Sequence, residues 1–425
     1  MSRPILFFAF VFTSLSCFSQ DIFFNWFENH ALRIDYFLAG NSHQQGVYLE
    51  SLKREPHWSG SHQYTIDTLN LGSYRIEVYD KESESLIYSN GFCTLFQEWQ
   101  TTEEAKQINR AFEQVTRIPF PKRISTVSIK YRNAKNGLFD ELYNFEVNPS
   151  SIFIEQVPVK EFPVTQIHNS GNPNSKLDIT FIAEGYTPEQ ISHFRSDVVT
   201  LTNFLLSQKP FSNFKDDINI WAIESPSENE GPTNPGTGSW NSTAVGSSYY
   251  TFNIDRYLTT THYKKVMDIA ANAPGDIVYI LVNTNQYGGG GIYNHYNVAT
   301  SGHQLAKEVF IHELGHGLAG LGDEYYTSDV AYIDYYPLNV EPWEPNITTR
   351  VNFKAKWADM IDKKTPTPTP SDSKYHQVIG LFEGGGYVSK GVYRPFYDCR
   401  MKSNTAAGFC PVCQRAISRV VNTYF

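Results

Sequence analysis

Runs of basic residues are missing from this chain. Its 425 residues carry 35 Lys and Arg against 44 Asp and Glu, a net charge of −9. Positive charge so thinly spread argues against a nucleic-acid partner and against a polybasic membrane patch. Beyond the first twenty residues no apolar run is long enough to cross a bilayer, so no transmembrane segment is expected. Cysteine is scarce at five and methionine at four. Tyr and Phe are plentiful instead: aromatic residues make up 15% of the chain and hydrophobic residues 41%, which marks it as globular rather than disordered. The length allows two domains.

Residues 1–19 read as an export signal, with Arg3, the apolar run ILFFAFVF and then small residues. Cleavage after Ser19, with Cys17 at the −3 position, leaves Gln20 as the mature terminus and a secreted, periplasmic or cell-surface protein. The competing reading makes Cys17 a lipid anchor, although the branched apolar residue wanted at its −3 position is absent. Cys93, Cys399, Cys410 and Cys413 remain. In an exported protein a disulfide is expected over free thiols. A zinc site built from cysteine alone needs a fourth ligand, and no His lies nearby. A bridge from Cys399 to Cys410 or Cys413 is therefore expected.

From about residue 28 to 155 the pattern is short and β-like. ALRIDYFLA, SYRIEVYD, SLIYSNGF, STVSIKYR, LYNFEV and SIFIEQ are separated by turn-forming residues, which predicts a small antiparallel β-sandwich over residues 20–160. No ligand cluster or carboxylate pair stands out in it. HNSGNPNSK (168–176) reads as a linker. The strand LDITFIAEGY follows, then a capping-box start at Thr187-Pro188-Glu189-Gln190 and a helix carrying Ile191, Phe194, Val198, Leu201 and Leu205. INIWAI (218–223), a helix around 259–272 and DIVYILVNTN complete a β-α-β-α-β order, which implies a mainly parallel sheet. The fold class is thus multidomain α+β and α/β, with an α/β domain over 161–425.

The densest chemistry lies at His312-Glu313-Leu314-Gly315-His316, followed by GLAGLGDEY. On a helix over 304–316, His312 and His316 share one face and can point two imidazoles at one ion. Glu313 can hold a water beside that ion without being a ligand, the zinc-peptidase arrangement. The helix is expected to break at Gly315-x-Gly317, so that a reversal returns a third ligand. Asp323, seven residues after His316, is that ligand, with Glu324 as runner-up. Glu341 and Glu344 are the candidates for a Glu on a later helix, but PLNVEPWEP is a poor helix.

Other segments carry less specific signals. Tyr287-Gly288-Gly289-Gly290-Gly291-Ile292-Tyr293 reads as an edge segment lining a cleft, where missing side chains admit a substrate backbone. PLNVEPWEPNITTR and TPTPTP (365–370) are expected to run extended over the surface. Met401, beside Cys399 and before a final helix (412–421), stands where a Met-turn floors the metal ligands. Tyr325, Tyr393 and Tyr397 are candidates to assist an oxyanion. Asn241 and Asn346 match the glycosylation pattern.

Together HELGHGLAGLGDEY, YGGGGIYN, PLNVEPWE…TRVNF and YDCRM…FCPVCQRAI closely resemble the IgA peptidase family of bacterial metallopeptidases. The 94–121 region, beginning TLFQEWQTTEEAK, is similar to that family's N-terminal β-sandwich domain, so the resemblance covers nearly the whole mature chain. It implies a secreted zinc endopeptidase acting on a protein or peptide, with His312 and His316 matching the metal histidines, Glu313 the catalytic glutamate and Asp323 the aspartate of the DEY triplet. Rival readings are a protein- or glycan-binding surface module with a relic site, and a zinc amidase acting on cell-wall peptides.

Overall fold

A computed structural model describes residues 19–156, 158–326 and 335–425. The expected export segment and Cys17 lie outside the described residues, apart from Ser19, which opens the short helix α1 (Ser19–Trp26). Among the described residues, no helix is long and apolar enough to cross a membrane.

The N-terminal region is a β domain of two four-stranded sheets. One takes the order β5-β1-β2-β8, from β1 (Phe27–Gly40), β2 (Gln45–Glu55), β5 (Arg110–Pro121) and β8 (Ile154–Glu155). The other takes the order β4-β3-β6-β7, from β3 (Tyr74–Asp80), β4 (Leu86–Phe92), β6 (Ser125–Arg132) and β7 (Phe139–Val147). Neighbours are antiparallel except β2 and β8. The short helix α2 (Leu95–Trp99) follows β4 and is capped by Thr94, whose Oγ1 accepts the Gln97 N–H at 3.1 Å.

Strand β1 is buried on both faces, and the alternation shows why. Leu32, Ile34, Tyr36 and Leu38 enter the apolar core. On the opposite face Arg33 is 2% and Asp35 0% exposed. Arg33 Nε and Nη2 donate to the Asp35 carboxylate at 2.6 and 3.0 Å, and Nη1 reaches Asp268 Oδ1 at 2.6 Å. Asp268 belongs to α4 (Tyr263–Ala270) of the second region, so this ion cluster is a seam between the two.

That second region is built on a six-stranded sheet. It contains β9 (Val164–His168), β10 (Leu177–Glu184), β11 (Ile218–Ile223), β12 (Ile277–Val282), β13 (Gly289–Gly291) and β14 (Asn297–Thr300), in the order β13-β14-β12-β10-β11-β9. The strands β11, β10, β12 and β14 run parallel, and the two edges are antiparallel. Every residue of β10 and β12 is buried, as parallel strands covered on both faces require. Helix α3 (Ile191–Ser207) buries Phe194, Val198, Leu201 and Leu205. Its lead-in closes the expected capping box, with Gln190 Oε1 accepting the Thr187 N–H at 3.1 Å. HNSGNPNSK is no loose linker: Ser170 N–H donates to Asn219 Oδ1 at 2.7 Å and Asn219 Nδ2 to the Gly171 carbonyl at 3.1 Å, tying it to β11.

Helix α5 (Ala306–Ala319) lies against this sheet and carries the HELGH motif. Phe310 seats it: its ring centroid is 5.7 Å from Phe181 of β10 and 4.9 Å from Tyr279 of β12, and the Tyr279 hydroxyl donates to the Phe310 carbonyl at 3.0 Å. The helix does not break at Gly315-x-Gly317 as expected. It runs on to Ala319 and stops at Gly320, whose φ of +58° takes the left-handed C-cap position. Gly315 serves close packing rather than a turn, because a Cβ there would sit 2.8 Å from Met401 Sδ. The remaining elements are the hairpin β15 (Phe382–Gly385) and β16 (Val388–Arg394), and the helix α6 (Pro411–Val421), which packs on α5.

Candidate metal centre

Three ligand atoms converge above α5. His312 Nε2 and His316 Nε2 are 3.1 Å apart, and Asp323 Oδ1 lies 3.2 Å from the first and 3.3 Å from the second. Two ligands held about 2.0–2.2 Å from one zinc at a tetrahedral angle stand roughly 3.3–3.6 Å apart. The triangle therefore fits a zinc-sized cation at its apex. Asp323 Oδ1 is buried, and apart from the two imidazole nitrogens it makes no hydrogen bond among the described residues, so a cation shared by the three atoms would satisfy it.

The far side of each ligand is held by a hydrogen bond. His312 Nδ1 donates to the Arg400 carbonyl at 2.9 Å and His316 Nδ1 to the Leu321 carbonyl at 2.5 Å. With Nδ1 donating to a carbonyl, each Nε2 is the nitrogen left to face the centre. The Tyr387 hydroxyl donates to Asp323 Oδ2 at 2.5 Å, leaving Oδ1 to face the imidazoles. Burial opposes charge on His316, but the adjacent Asp323 carboxylate pulls it up to about 9. Burial likewise opposes charge on Asp323, yet the same two imidazoles hold it well below the usual carboxylate range. The centre thus favours positive charge where the three atoms meet.

The turn that returns Asp323 is clamped by Asn346. Its Oδ1 accepts the Gly322 N–H at 2.8 Å, and its Nδ2 donates to the Gly322 carbonyl at 2.8 Å and to Glu324 Oε1 at 2.9 Å. Asn346 is 0% exposed, so the glycosylation match there falls on a buried amide in use. Nor does its segment run over the surface as expected. Pro337–Asn339 is exposed, but Glu344, Asn346, Ile347 and Thr348 turn inward to brace the turn.

Glu313 lies beside the triangle, with a carboxylate oxygen within 4.8 Å of a nitrogen of each imidazole. Burial pushes its carboxyl up, partly offset by the two imidazoles. It faces a cleft of about 480 Å³ between α5, β13 and the Asp323 turn. β13 is the edge strand of the sheet, as its glycines suggested, and a Cβ on Gly291 would meet the Glu313 carbonyl at 2.3 Å. Tyr287, Tyr325 and Tyr387 line the cleft, and Cys93, Gln97 and Glu98 reach it from the N-terminal region.

His312, Glu313, His316 and Asp323 are brought together as the sequence suggested. Glu324 is not: its carboxylate turns away toward Cys413, 3.2 Å from Sγ. Glu341 accepts the Asn352 N–H at 2.8 Å, and Glu344 lines the cleft wall. Of the tyrosine candidates Tyr325 is in the cleft, whereas Tyr393 lies on β16 and Tyr397 stacks on His376 with centroids 3.5 Å apart. The expected bridge from Cys399 is not formed. Cys93, Cys399, Cys410 and Cys413 are all buried free thiols. Tyr387, Asn346 and Glu98 were missed. Only the left-handed turn before Tyr387, spelled GGGY, gave a sign that this residue had a set position.

A helix-borne pair of imidazoles and a returning carboxylate, with a glutamate one residue along in an open cleft, mark a metallopeptidase. Family comparison makes this specific. Residues 165–377 and 371–421 match the model described as IgA Peptidase M64, and residues 22–143 match that of the Peptidase M64 N-terminus. The chain belongs to the IgA peptidase M64 family. No curated protein matches it.

Proposed function

We propose that the chain is a secreted zinc endopeptidase in which His312, His316 and Asp323 hold the ion and Glu313 is the general base. The observation that carries this reading is the triangle of 3.1, 3.2 and 3.3 Å around an otherwise unpartnered Asp323 oxygen. Zinc bound there would acidify a water and polarise the scissile carbonyl. Glu313 takes the proton of the attacking water and passes it to the departing amine, the work of a carboxylate whose hold on a proton burial strengthens. Tyr325 and Tyr287 are the cleft phenols suited to donate to the developing oxyanion.

The substrate lies in the cleft beside the edge strand β13, which lines it with glycines and is itself bridged to Tyr257 at Gly289. Two domains accompany this reading, a β-sandwich over 20–160 and a metzincin-like α/β peptidase domain over 161–425. The first braces the second and adds a wall to the cleft. Support comes from the Arg33–Asp268 ion pair and from the hydrogen bond of the Tyr257 hydroxyl to Glu98. An amino-terminal export signal over 1–19 sets the protein outside the cytoplasm.

Hydrolysis of an unfolded protein substrate, followed with and without a chelator, tests the reading. Cleavage that chelation abolishes and zinc restores is expected. A zinc-loaded chain that cleaves no peptide bond would instead be a binding module with a relic site. Release of peptides from purified peptidoglycan alone would make it a cell-wall amidase.

A further inference from the structure

We propose that Glu324, Cys399, Cys410 and Cys413 form a second, structural zinc site behind the catalytic turn. The four side chains are buried, and one ligand atom from each lies within 4.8 Å of all the others. Cys399 Sγ and Cys413 Sγ are 3.7 Å apart. Two thiolates bound at about 2.3 Å to one tetrahedral zinc stand roughly 3.8 Å apart. Glu324 Oε1 lies 3.2 Å from Cys413 Sγ, and Oε2 is buried with no hydrogen-bond partner among the described residues. A buried carboxylate facing three thiols, with one oxygen unsatisfied, is costly unless a cation joins them.

The backbone favours thiolates at this place. Cys410 is the N-cap of α6 and Cys413 its third residue, where the helix dipole stabilises negative charge. The Cys410 N–H donates to Cys399 Sγ at 3.2 Å. Arg394 and Lys402 add positive charge nearby. A zinc ion would displace the remaining thiol protons to solvent. A disulfide uses two of the three sulfurs and leaves the third buried beside Glu324, whose Oε2 still lacks a partner among the described residues.

Three protein sulfurs and one carboxylate fill a tetrahedron and leave no position for water, so the site would be structural. What it would fasten is the catalytic centre. Glu324 follows Asp323 in the chain, and its N–H donates to the Met401 carbonyl at 2.8 Å. Cys399 precedes Arg400, whose carbonyl orients His312. One ion would thus tie the Asp323 turn, the segment under α5 and the start of α6.

Zinc-edge X-ray absorption on the intact chain, purified from zinc-supplemented medium without chelator, reads the ligand set directly. The expected spectrum contains a sulfur shell at about 2.3 Å beside a nitrogen and oxygen shell at about 2.0–2.1 Å. His316→Ala is expected to lose the second shell's histidine signature and keep one zinc per chain, bound mainly by sulfur. A spectrum without sulfur overturns the proposal, whatever happens at His312 and His316. So does peptide mapping of the unreduced protein that finds any two of Cys399, Cys410 and Cys413 bridged.

Discussion

Asp323 and Glu324 are consecutive residues that face two different ligand clusters. Asp323 Oδ1 stands 3.2 Å from His312 Nε2, while Glu324 Oε1 stands 3.2 Å from Cys413 Sγ. Between the clusters the backbone is pinned on both sides, by Asn346 at Gly322 and by the Met401 carbonyl at the Glu324 N–H. The placement of Asp323 is therefore set in part by groups outside the cleft.

Glu313→Gln preserves shape and removes the proposed base. Peptide hydrolysis should fall by about 10²–10⁴-fold, the usual worth of positioned proton transfer. Zinc content by elemental analysis should stay at the wild-type level. An active Glu313→Gln enzyme would remove Glu313 from the mechanism.

Tyr387→Phe deletes the hydrogen bond to Asp323 Oδ2 and no ligand atom. Loss of such an outer partner typically weakens metal binding about 10–100-fold. Competition with a graded chelator series should show that loss, and excess zinc should restore activity. Unchanged affinity would mean that Asp323 is held without Tyr387.

Gly291→Ala puts a methyl 2.3 Å from the Glu313 carbonyl, inside a strand–helix contact that cannot open without moving the base. Overpacking of this kind costs about 1–3 kcal/mol. Thermal unfolding should report a lower midpoint, and activity should fall further than stability explains. A variant with native stability and rate would show that β13 can step back.

Asp178 and Asp276 meet where β10 and β12 begin, with the Asp178 N–H donating to Asp276 Oδ2 at 2.9 Å. Burial raises Asp178 from 3.8 to about 6, and burial together with the Asp178 charge raises Asp276 well above 3.8. The folded chain thus retains protons that the unfolded chain has already released. Their contribution to stability is full below about pH 4 and is lost as pH rises through 6. Asp276→Asn removes one of the two charges. The fall in unfolding free energy between about pH 5 and 8 should shrink by roughly 1–3 kcal/mol. Parallel pH profiles for variant and wild type would exclude the pair as its cause.

Legibility in the sequence followed the range of the interaction. INIWAI is β11 to the residue, because an unbroken apolar run bounded by polar residues has few other fates. HELGH was readable because i,i+4 spacing fixes two imidazoles on one helix face, and Asp323 because a short glycine-bearing segment limits where it can go. β2 and β5 were missed. The first carries Glu50, Lys53, Arg54 and Glu55 on a half-exposed strand, and the second hides its buried residues among Arg, Gln, Thr and Pro. The glycines of HELGHG were read as a break, although Gly315 is small to admit Met401. Tyr387 and Asn346 act on the ligand turn from 64 and 24 residues away, a distance over which no periodic pattern carries information. Glu324 was weighed only against Asp323, so its place beside three cysteines some 75 to 89 residues later went unread.

The proposed activity turns on one zinc ion held among His312, His316 and Asp323. Anomalous diffraction recorded on both sides of the zinc absorption edge, from crystals of the protein grown without chelator, tests it directly. A peak about 2.0–2.2 Å from His312 Nε2, His316 Nε2 and an Asp323 oxygen is the predicted result. Zinc-supplied crystals with no peak there, or with Asp323 turned away from the two imidazoles, would contradict it.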